Sequence, residues 1–111
     1  VLHAGSTITA YDMDGDSDYD AILGDISFPK MVYLHNNGSP TYAKMDTQDA
    51  NFPSYDTPIN LDVFPASFFV DVNNDGKKDL IGAPNSPYNS INQNNVWYYK
   101  NIGVNNNGIP Y

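Results

Sequence analysis

Two short stretches crowded with aspartate constrain what this chain can fold into. Residues 12–20 carry five carboxylates, and residues 71–79 place Asp, Asn, Asp and Asp at the same offsets, 59 residues later. Carboxylates this close repel one another, so no helix or strand would gather them without a counter-charge. A hard divalent cation takes six to eight oxygen ligands, and a tightly curled loop can aim residues 1, 3, 5 and 9 at one centre. Both stretches are therefore predicted to be cation-binding loops.

Other interpretations of these loops compete with a structural ion. An EF-hand loop begins similarly but needs a bidentate Glu at its twelfth position and flanking helices. That position is Leu23 or Gly82 here, each in a predicted strand, which excludes an EF-hand. A solvated acidic turn stays open as the alternative, although the duplication argues against it. A catalytic ion needs an open coordination position, whereas these ligands suffice to close the shell. The all-oxygen ligands favour Ca²⁺ over Zn²⁺.

The composition limits the classes of partner. The formal net charge is −8 and arginine is absent, which argues against nucleic acid, because phosphate contacts need clustered cationic side chains. All thirteen acidic residues are Asp, and eight of them lie in the two loops, so two bound Ca²⁺ would bring the net charge to about −4. No apolar run reaches the roughly 18–20 residues that a membrane span needs. Cysteine is absent, so no disulfide is expected.

Short β-type runs surround the loops, and helical periodicity is lacking. Strands are predicted at residues 7–11, 21–25, 31–35 and 41–45, with turns at residues 27–30 and 36–40. The polar segment 46–62 is interpreted as a connection between units. Further strands are predicted at residues 64–70, 80–83 and 96–100, with a long turn over residues 84–95.

This pattern predicts an all-β chain with an internal repeat of about 60 residues. Each repeat would be a four-stranded antiparallel unit with one metal loop. The first unit spans residues 1–62, including loop 12–20 and the connection. The second spans residues 63–111, including loop 71–79, and is incomplete at its C-terminal end, where another fourth strand would start near Tyr111. Such units form radial or linear arrays, and a β-propeller needs at least four of them. The chain is therefore expected to be a fragment of a longer protein.

The two loops and the strands that follow them resemble a known family. Residues 12–24 read Asp-x-Asp-Gly-Asp-x-Asp-x-Asp followed by Ala-Ile-Leu-Gly, and residues 71–82 read Asp-x-Asn-x-Asp-Gly-x-x-Asp-Leu-Ile-Gly. These motifs resemble the FG-GAP and VCBS repeats, the calcium-loop β-propeller blades best known from integrin α-subunits. Residues 32–38 are similar to the family's third strand and the turn after it. The resemblance implies two blades of a seven- or eight-bladed propeller. The phenylalanine-glycine pair is missing before both loops, which places the chain nearer the VCBS variant.

The resemblance also implies a ligand set, with about one Ca²⁺ per repeat. Ser17 departs from the family, which has Gly at this position, as at Gly76 in the second loop. If the position needs a positive φ, Ser costs about 1 kcal/mol of strain. The implied ligands are the side chains of Asp12, Asp14, Asp16 and Asp20 with the carbonyl of Asp18, and the side chains of Asp71, Asn73, Asp75 and Asp79 with the carbonyl of Lys77.

Residues 23–27, 51–54, 64–66 and 96–101 resemble VCBS segments of large secreted surface proteins of Bacteroidetes, which commonly end in a type IX secretion sorting domain. The resemblance implies a secreted, cell-surface, non-enzymatic module for adhesion, binding or scaffolding. Its expected partners are the rest of the propeller, a surface protein or polysaccharide, and secretion machinery. The alternatives are a non-catalytic part of a secreted polysaccharide-acting enzyme and a passenger substrate of a secretion system.

Several residues outside the loops are weaker candidates. His3 and His35 are single, without metal-ligand spacing, and His35 is interpreted as a turn or edge residue. Strand alternation places Trp97 and Tyr99 on one face and Tyr98 on the other; packing between blades is favoured over a sugar platform there. The Asn-rich turn 85–95 is a candidate ligand surface, although a solvated loop is the favoured interpretation. A carboxylate pair for glycoside hydrolysis among Asp25, Asp46, Asp49, Asp56 and Asp62 has no support from spacing.

Overall fold

The structure, a computed structural model, describes residues 5–61, 64–85 and 95–103. Over these ranges the chain is all-β, as predicted, with two antiparallel sheets. His3, most of turn 84–95 and the strand predicted near Tyr111 lie outside the described residues. Nowhere in the described ranges is there a helix with the length and apolar character to cross a membrane.

The strands of each sheet are adjacent in the order in which they follow along the chain. The first sheet contains β1 (Ser6–Tyr11), β2 (Asp20–Asp25), β3 (Phe28–Asn36) and β4 (Met45–Phe52). The second sheet contains β5 (Pro65–Val70), β6 (Asp79–Pro84) and β7 (Trp97–Tyr99).

The turn between β2 and β3 is tighter than predicted. It consists of Ile26 and Ser27, and Phe28 already belongs to β3. Asp25 closes it, because its Oδ1 accepts hydrogen bonds from the Ser27 backbone N–H at 2.8 Å and from the Ser27 hydroxyl at 2.6 Å. These two bonds lower the pKa of Asp25. The predicted turn over residues 27–30 is therefore wrong, because a side-chain cap lets two residues reverse the chain.

The fourth strand also lies elsewhere than predicted. Residues 41–42 belong to a hairpin tip, in which Ser39 and Tyr42 form an isolated bridge, and β4 begins only at Met45. Asn36 causes this, because its Oδ1 accepts hydrogen bonds from the backbone N–H groups of Gly38 at 3.2 Å and Lys44 at 2.7 Å and so closes the loop. The strand prediction over residues 41–45 is therefore wrong, and much of the predicted connection 46–62 is an edge strand.

The rest of that connection completes the hydrophobic core. Ile59 is fully buried and Leu61 is 3% exposed, although both stand in a polar, proline-containing segment. The Leu61 backbone N–H donates to the Pro29 carbonyl at 2.8 Å, which holds the segment alongside β3. The core lies between the two sheets and consists of Met13, Ile22, Met31, Phe52, Ile59, Leu61 and Leu80, with Tyr11, Tyr33, Phe69, Trp97 and Tyr99 packed against it.

The two sheets meet through alternate residues of β1 and β5. The hydroxyls of Thr7 and Thr9 donate to the backbone carbonyls of Pro65 and Ser67, each at 2.7 Å. At the end of β1, the Tyr11 ring stacks on Phe69 with 4.1 Å between centroids. At Thr7 and Thr9 the strand backbones therefore approach each other directly, without large side chains between them.

Gly24 makes this close approach feasible. A Cβ atom at this position would lie 1.8 Å from the Pro65 carbonyl oxygen, well inside van der Waals contact. Any side chain there would push the second sheet away from the first.

The burial of Ile59 generates a test of this core. Ile59→Ala should lower the free energy of unfolding by about 3 kcal/mol, because it leaves a cavity between the sheets. The control Ile8→Ala removes an equal side chain that is 71% exposed and should change stability by less than about 0.5 kcal/mol. Urea denaturation measures both. Equal effects would show that the connection does not form part of the core.

Candidate metal centre

The first loop brings three of its predicted ligands together. Asp12, Asp14 and Asp16 each offer a carboxylate oxygen, and these three oxygens all lie within 4.8 Å of one another. Asp12 and Asp14 are half-buried and Asp16 is exposed. Among the described residues this is the one group of three or more acidic or imidazole side chains close enough to share an ion. The predicted ligands, spaced two residues apart along the chain, therefore bring their carboxylate oxygens close to one centre.

Backbone N–H groups hold the loop in this curled form. The Asp12 carboxylate accepts from Gly15 at 2.7 Å and from Ser17 at 3.1 Å. Further along, the Asp16 Oδ1 accepts from the Asp18 N–H at 2.9 Å. Each carboxylate thus caps a turn of its own loop. Asp suits such loops because its side chain readily accepts hydrogen bonds from nearby backbone N–H groups. These bonds leave lone pairs on the same oxygens for a cation.

Asp18 lies in the loop with an unsatisfied carboxylate. It is 3% exposed, and its Oδ1 has no hydrogen-bond partner. Burial raises the pKa of Asp18, and the charges of Asp16, Asp20 and Asp14 raise it further. The resemblance assigned only its carbonyl to the ion. The structure adds a buried side-chain oxygen that lacks a partner beside the carboxylate group, and sequence spacing gives no signal for that burial.

Asp20 anchors the loop to the third strand. Its side chain is 2% exposed, and its two oxygens accept from the backbone N–H of Met13 at 3.0 Å and of Asn36 at 2.7 Å. Burial raises the pKa of Asp20, while these two donors oppose the rise and Asp14 adds to it. Asp20 is therefore outside the group of three oxygens, and its contacts tie the base of the loop to the end of β3.

The second loop repeats these contacts with fewer charges. The Asp71 Oδ2 accepts from Gly76 at 2.9 Å, as Asp12 does from Ser17, and the Asp75 Oδ1 accepts from Lys77 at 3.0 Å. Asn73, the second predicted ligand of this loop, accepts from the Asp75 N–H at 2.9 Å. The Lys77 ammonium donates to the Ile102 carbonyl at 3.3 Å. Asn73 replaces one carboxylate of the first loop, so the second loop concentrates less negative charge.

Asp79 is the counterpart of Asp20 and occupies a more favourable environment. It is fully buried and accepts from the backbone N–H of Asn101 at 2.8 Å and of Val72 at 3.1 Å. The Asn101 N–H lowers the pKa of Asp79, with smaller contributions from the bonds to Val72 and Tyr98 and from the charge of Lys100. The two anchors have opposite pKa shifts because burial outweighs the two backbone donors at Asp20, whereas the Asn101 N–H outweighs burial at Asp79.

Two asparagines complete the anchors, and the sequence interpretation treated them only as turn residues. The Asn36 side-chain N–H donates to the Tyr19 carbonyl, and the Asn101 side chain donates to the Lys78 carbonyl, each at 3.1 Å. Each Asn also accepts from a glycine N–H two residues later. The signal was present in the matching Asn-x-Gly triplets at residues 36–38 and 101–103.

Both loops place residues in the left-handed region at the same two offsets. Ser17 has φ 78° and Gly76 has φ 85°, which confirms that this position needs a positive φ. Two residues earlier, Gly15 has φ 82° and Asn74 has φ 60°. Each loop therefore carries one glycine and one strained side chain, at exchanged positions.

His35 connects the first loop to the edge strand. It lies near the end of β3, which pairs on both sides, so the interpretation of His35 as a turn or edge residue is wrong. It lies on β3, with Nε2 at 3.0 Å from an Asp14 oxygen and Nδ1 at 2.7 Å from an Asp46 oxygen. The bond to Asp46 is the main cause that raises the pKa of His35, with Asp14 contributing and burial opposing. Strand register brings these residues together, which spacing along the chain does not reveal.

The aromatic residues of β7 alternate as predicted. Trp97 and Tyr99 pack against the core and stack with 6.4 Å between centroids, whereas Tyr98 is 48% exposed on the other face. The inward pair fills space between the sheets and is not a surface platform.

Comparison of this chain with protein-family models, curated proteins and solved structures gave no match. The function proposed below therefore rests on the geometry of the loops and sheets.

The left-handed conformation of Ser17 generates a prediction. Ser17→Gly should raise the free energy of unfolding by about 1 kcal/mol, because glycine adopts this φ without strain. The control Ser6→Gly changes the same residue type in β1 and should lower stability by about 0.5 kcal/mol. Thermal or urea unfolding measures both; destabilisation by Ser17→Gly would contradict the assignment of strain.

The anchoring role of Asp20 generates a second prediction. Asp20→Ala leaves two buried backbone N–H groups without acceptors and should cost about 3 kcal/mol, even in a metal chelator. Asp16→Ala in the same chelator should cost less than about 1 kcal/mol, because Asp16 is exposed. Urea unfolding in EGTA distinguishes them. Equal costs would show that Asp20 does not act as an anchor independently of metal.

Proposed function

We propose that this chain is a calcium-stabilised module of a secreted bacterial surface protein, built from two blades of a larger β-propeller and used for adhesion, binding or scaffolding. Ca²⁺ would be held by the two acidic loops and would pin the hairpin that opens each blade. The observation that carries the proposal is the convergence of three carboxylates at Asp12, Asp14 and Asp16, beside the buried, unsatisfied oxygen of Asp18.

Charge repulsion supports an ion in the first loop. Three carboxylate oxygens within 4.8 Å of one another are costly unless a cation or protons neutralise them, and His35 reaches only one of the three residues, Asp14, at 3.0 Å. The acid-rich, all-oxygen donors suit a hard cation of flexible coordination, which favours Ca²⁺. The second loop makes equivalent backbone contacts but has an amide at Asn73, so we expect it to bind more weakly.

The contact between the sheets supports a propeller-like stack. The first sheet presents Thr7 and Thr9 to the second, and a shift of 59 residues gives their counterparts, Ala66 and Phe68. These counterparts belong to the face of the second sheet that points away from the first, where Phe68 is 53% exposed. The strand register supports this correspondence, because Thr9 pairs with Ile22 in the first sheet and Phe68 pairs with Ile81, each 59 residues later, in the second.

The reverse correspondence also holds. The second sheet uses Ser67 and Phe69 in the contact, and their counterparts, Ile8 and Ala10, are exposed on the far face of the first sheet. The contact is therefore heterologous, because each sheet offers a different face. The other faces are exposed at Ile8, Ala10 and Phe68, whereas Ala66 is buried. Heterologous contacts continue into closed rings or open stacks. Further blades on both sides would cover these apolar faces.

Calcium binding is the direct test of the proposal. Equilibrium dialysis with ion counting should find about two Ca²⁺ per chain. At free Ca²⁺ of about 100 times Kd, each site should add about 2.7 kcal/mol to the free energy of unfolding relative to EGTA. Asp16→Ala and the equivalent Asp75→Ala should each remove one ion and its share of the stabilisation.

The matched control for these variants is Asp56→Ala, which removes an exposed carboxylate of the connection and should leave the ion count unchanged. An ion count of zero with equal stability in Ca²⁺ and EGTA would reject the metal sites. Two ions still bound to Asp16→Ala would reject the ligand assignment alone.

A further inference from the structure

Two exposed tyrosines flank a surface cavity at the end of the first sheet. The cavity has a volume of about 490 Å³, and its lining includes Tyr19, Tyr42, Ser17, Ser39, Thr41 and Asn36. Tyr19 is 68% exposed and Tyr42 is 72% exposed. The volume falls in the range of small-ligand sites. Large aromatic side chains left in water beside a cavity need an explanation that core packing does not provide.

The cavity is built from ordered backbone. In the hairpin tip, Ser39 and Tyr42 exchange backbone hydrogen bonds of 2.9 and 3.1 Å, and the Asn37 N–H donates to the Lys44 carbonyl at 2.9 Å. Asn36 joins the two walls, because its side chain binds the Tyr19 carbonyl on one side and the Lys44 N–H on the other. Both tyrosines are therefore carried by segments held in place without a ligand, which lowers the entropic cost of binding.

The lining selects a neutral ligand. It contains two phenol rings, the hydroxyl groups of two serines and a threonine, and an amide, and none of the residues that line the cavity is Lys, Asp or His. A pyranose has a C–H face that stacks on an aromatic ring and hydroxyls that exchange hydrogen bonds with Ser and Thr. An anionic ligand would find no cationic partner and would approach a chain of net charge −8.

Position in the fold leaves the cavity open to such a ligand. The β1–β2 loop and the β3–β4 loop lie at the same end of an antiparallel sheet, whereas the sheets contact each other through strand faces at Thr7 and Thr9. Stacked neighbours would therefore leave the cavity accessible. The second loop lacks the feature, since Lys78 stands where the first has Tyr19.

We propose that this cavity is a binding site for neutral oligosaccharide, with Tyr19 and Tyr42 as the stacking surfaces. The proposal names a ligand class for the binding module proposed above, and the biological role of the cavity rests on that proposed function. The geometry of the cavity depends on hydrogen bonds within the loops.

The test is isothermal titration of the chain with cellohexaose, maltohexaose and mannohexaose, in Ca²⁺ and in EGTA. At least one should bind, whereas hexagalacturonate should not. Tyr19→Ala and Tyr42→Ala should each weaken binding about tenfold, the loss of one stacking contact of about 1.4 kcal/mol. Tyr42→Phe keeps the ring and should retain binding. The control Phe68→Ala removes an exposed aromatic ring from a sheet face and should have no effect.

Failure of all three neutral hexasaccharides to bind would overturn the proposal, as would binding that neither tyrosine variant weakens. Binding of a proline-rich decapeptide at Tyr42 in their place would assign the cavity to a protein partner and equally reject it. Binding of a hexasaccharide together with an ion count of zero in the presence of Ca²⁺ would support the sugar site while rejecting the metal sites, so the two proposals fail separately.

Discussion

The structure depends on two buried carboxylates that each accept two backbone N–H groups. Asp20 and Asp79 join the acidic loop of a unit to the strand end that lies beside it, at Asn36 and Asn101. A buried charge is tolerated only where hydrogen bonds replace water, and here the donors are main-chain groups that would otherwise lack partners. These hydrogen bonds between side-chain carboxylates and backbone N–H groups set the shape of each loop and the spacing of the strands. They also set the position of the predicted ligand oxygens. A cation bound in the loop would stabilise a backbone arrangement that Asp20 and Asp79 already hold in place.

The second organising feature is the direct approach of one sheet to the other. Hydroxyl-to-carbonyl bonds and Gly24 bring strand backbones together, and isolated apolar residues such as Ile59 fill the remaining space. Because this contact uses unlike faces, further units of the same kind would add along one direction. The cavity between the hairpin loops lies outside that direction, so the proposed stack and the proposed ligand would not compete for surface.

The sequence predicted the parts of the fold that carry a local signal. The acidic loops and the all-β class followed from spacing and turn chemistry, whereas the family resemblance raised the question of a positive φ at Ser17. β4 was missed because a solvent-exposed edge strand has no apolar alternation, and its residues are almost all exposed. Ile59 and Leu61 were missed because single apolar residues in a polar segment show no period. The contacts of His35 depend on strand register, which no short motif encodes.

The polar character of β4 has a consequence for aggregation. An open sheet edge offers unpaired N–H and C=O groups to any other strand, and proteins protect such edges with charge. Asp46 and Asp49 lie on this edge, and Asp46 is also bound to His35. On the β4 side of the first sheet these charges therefore disfavour the addition of another strand and the extended β-pairing of amyloid.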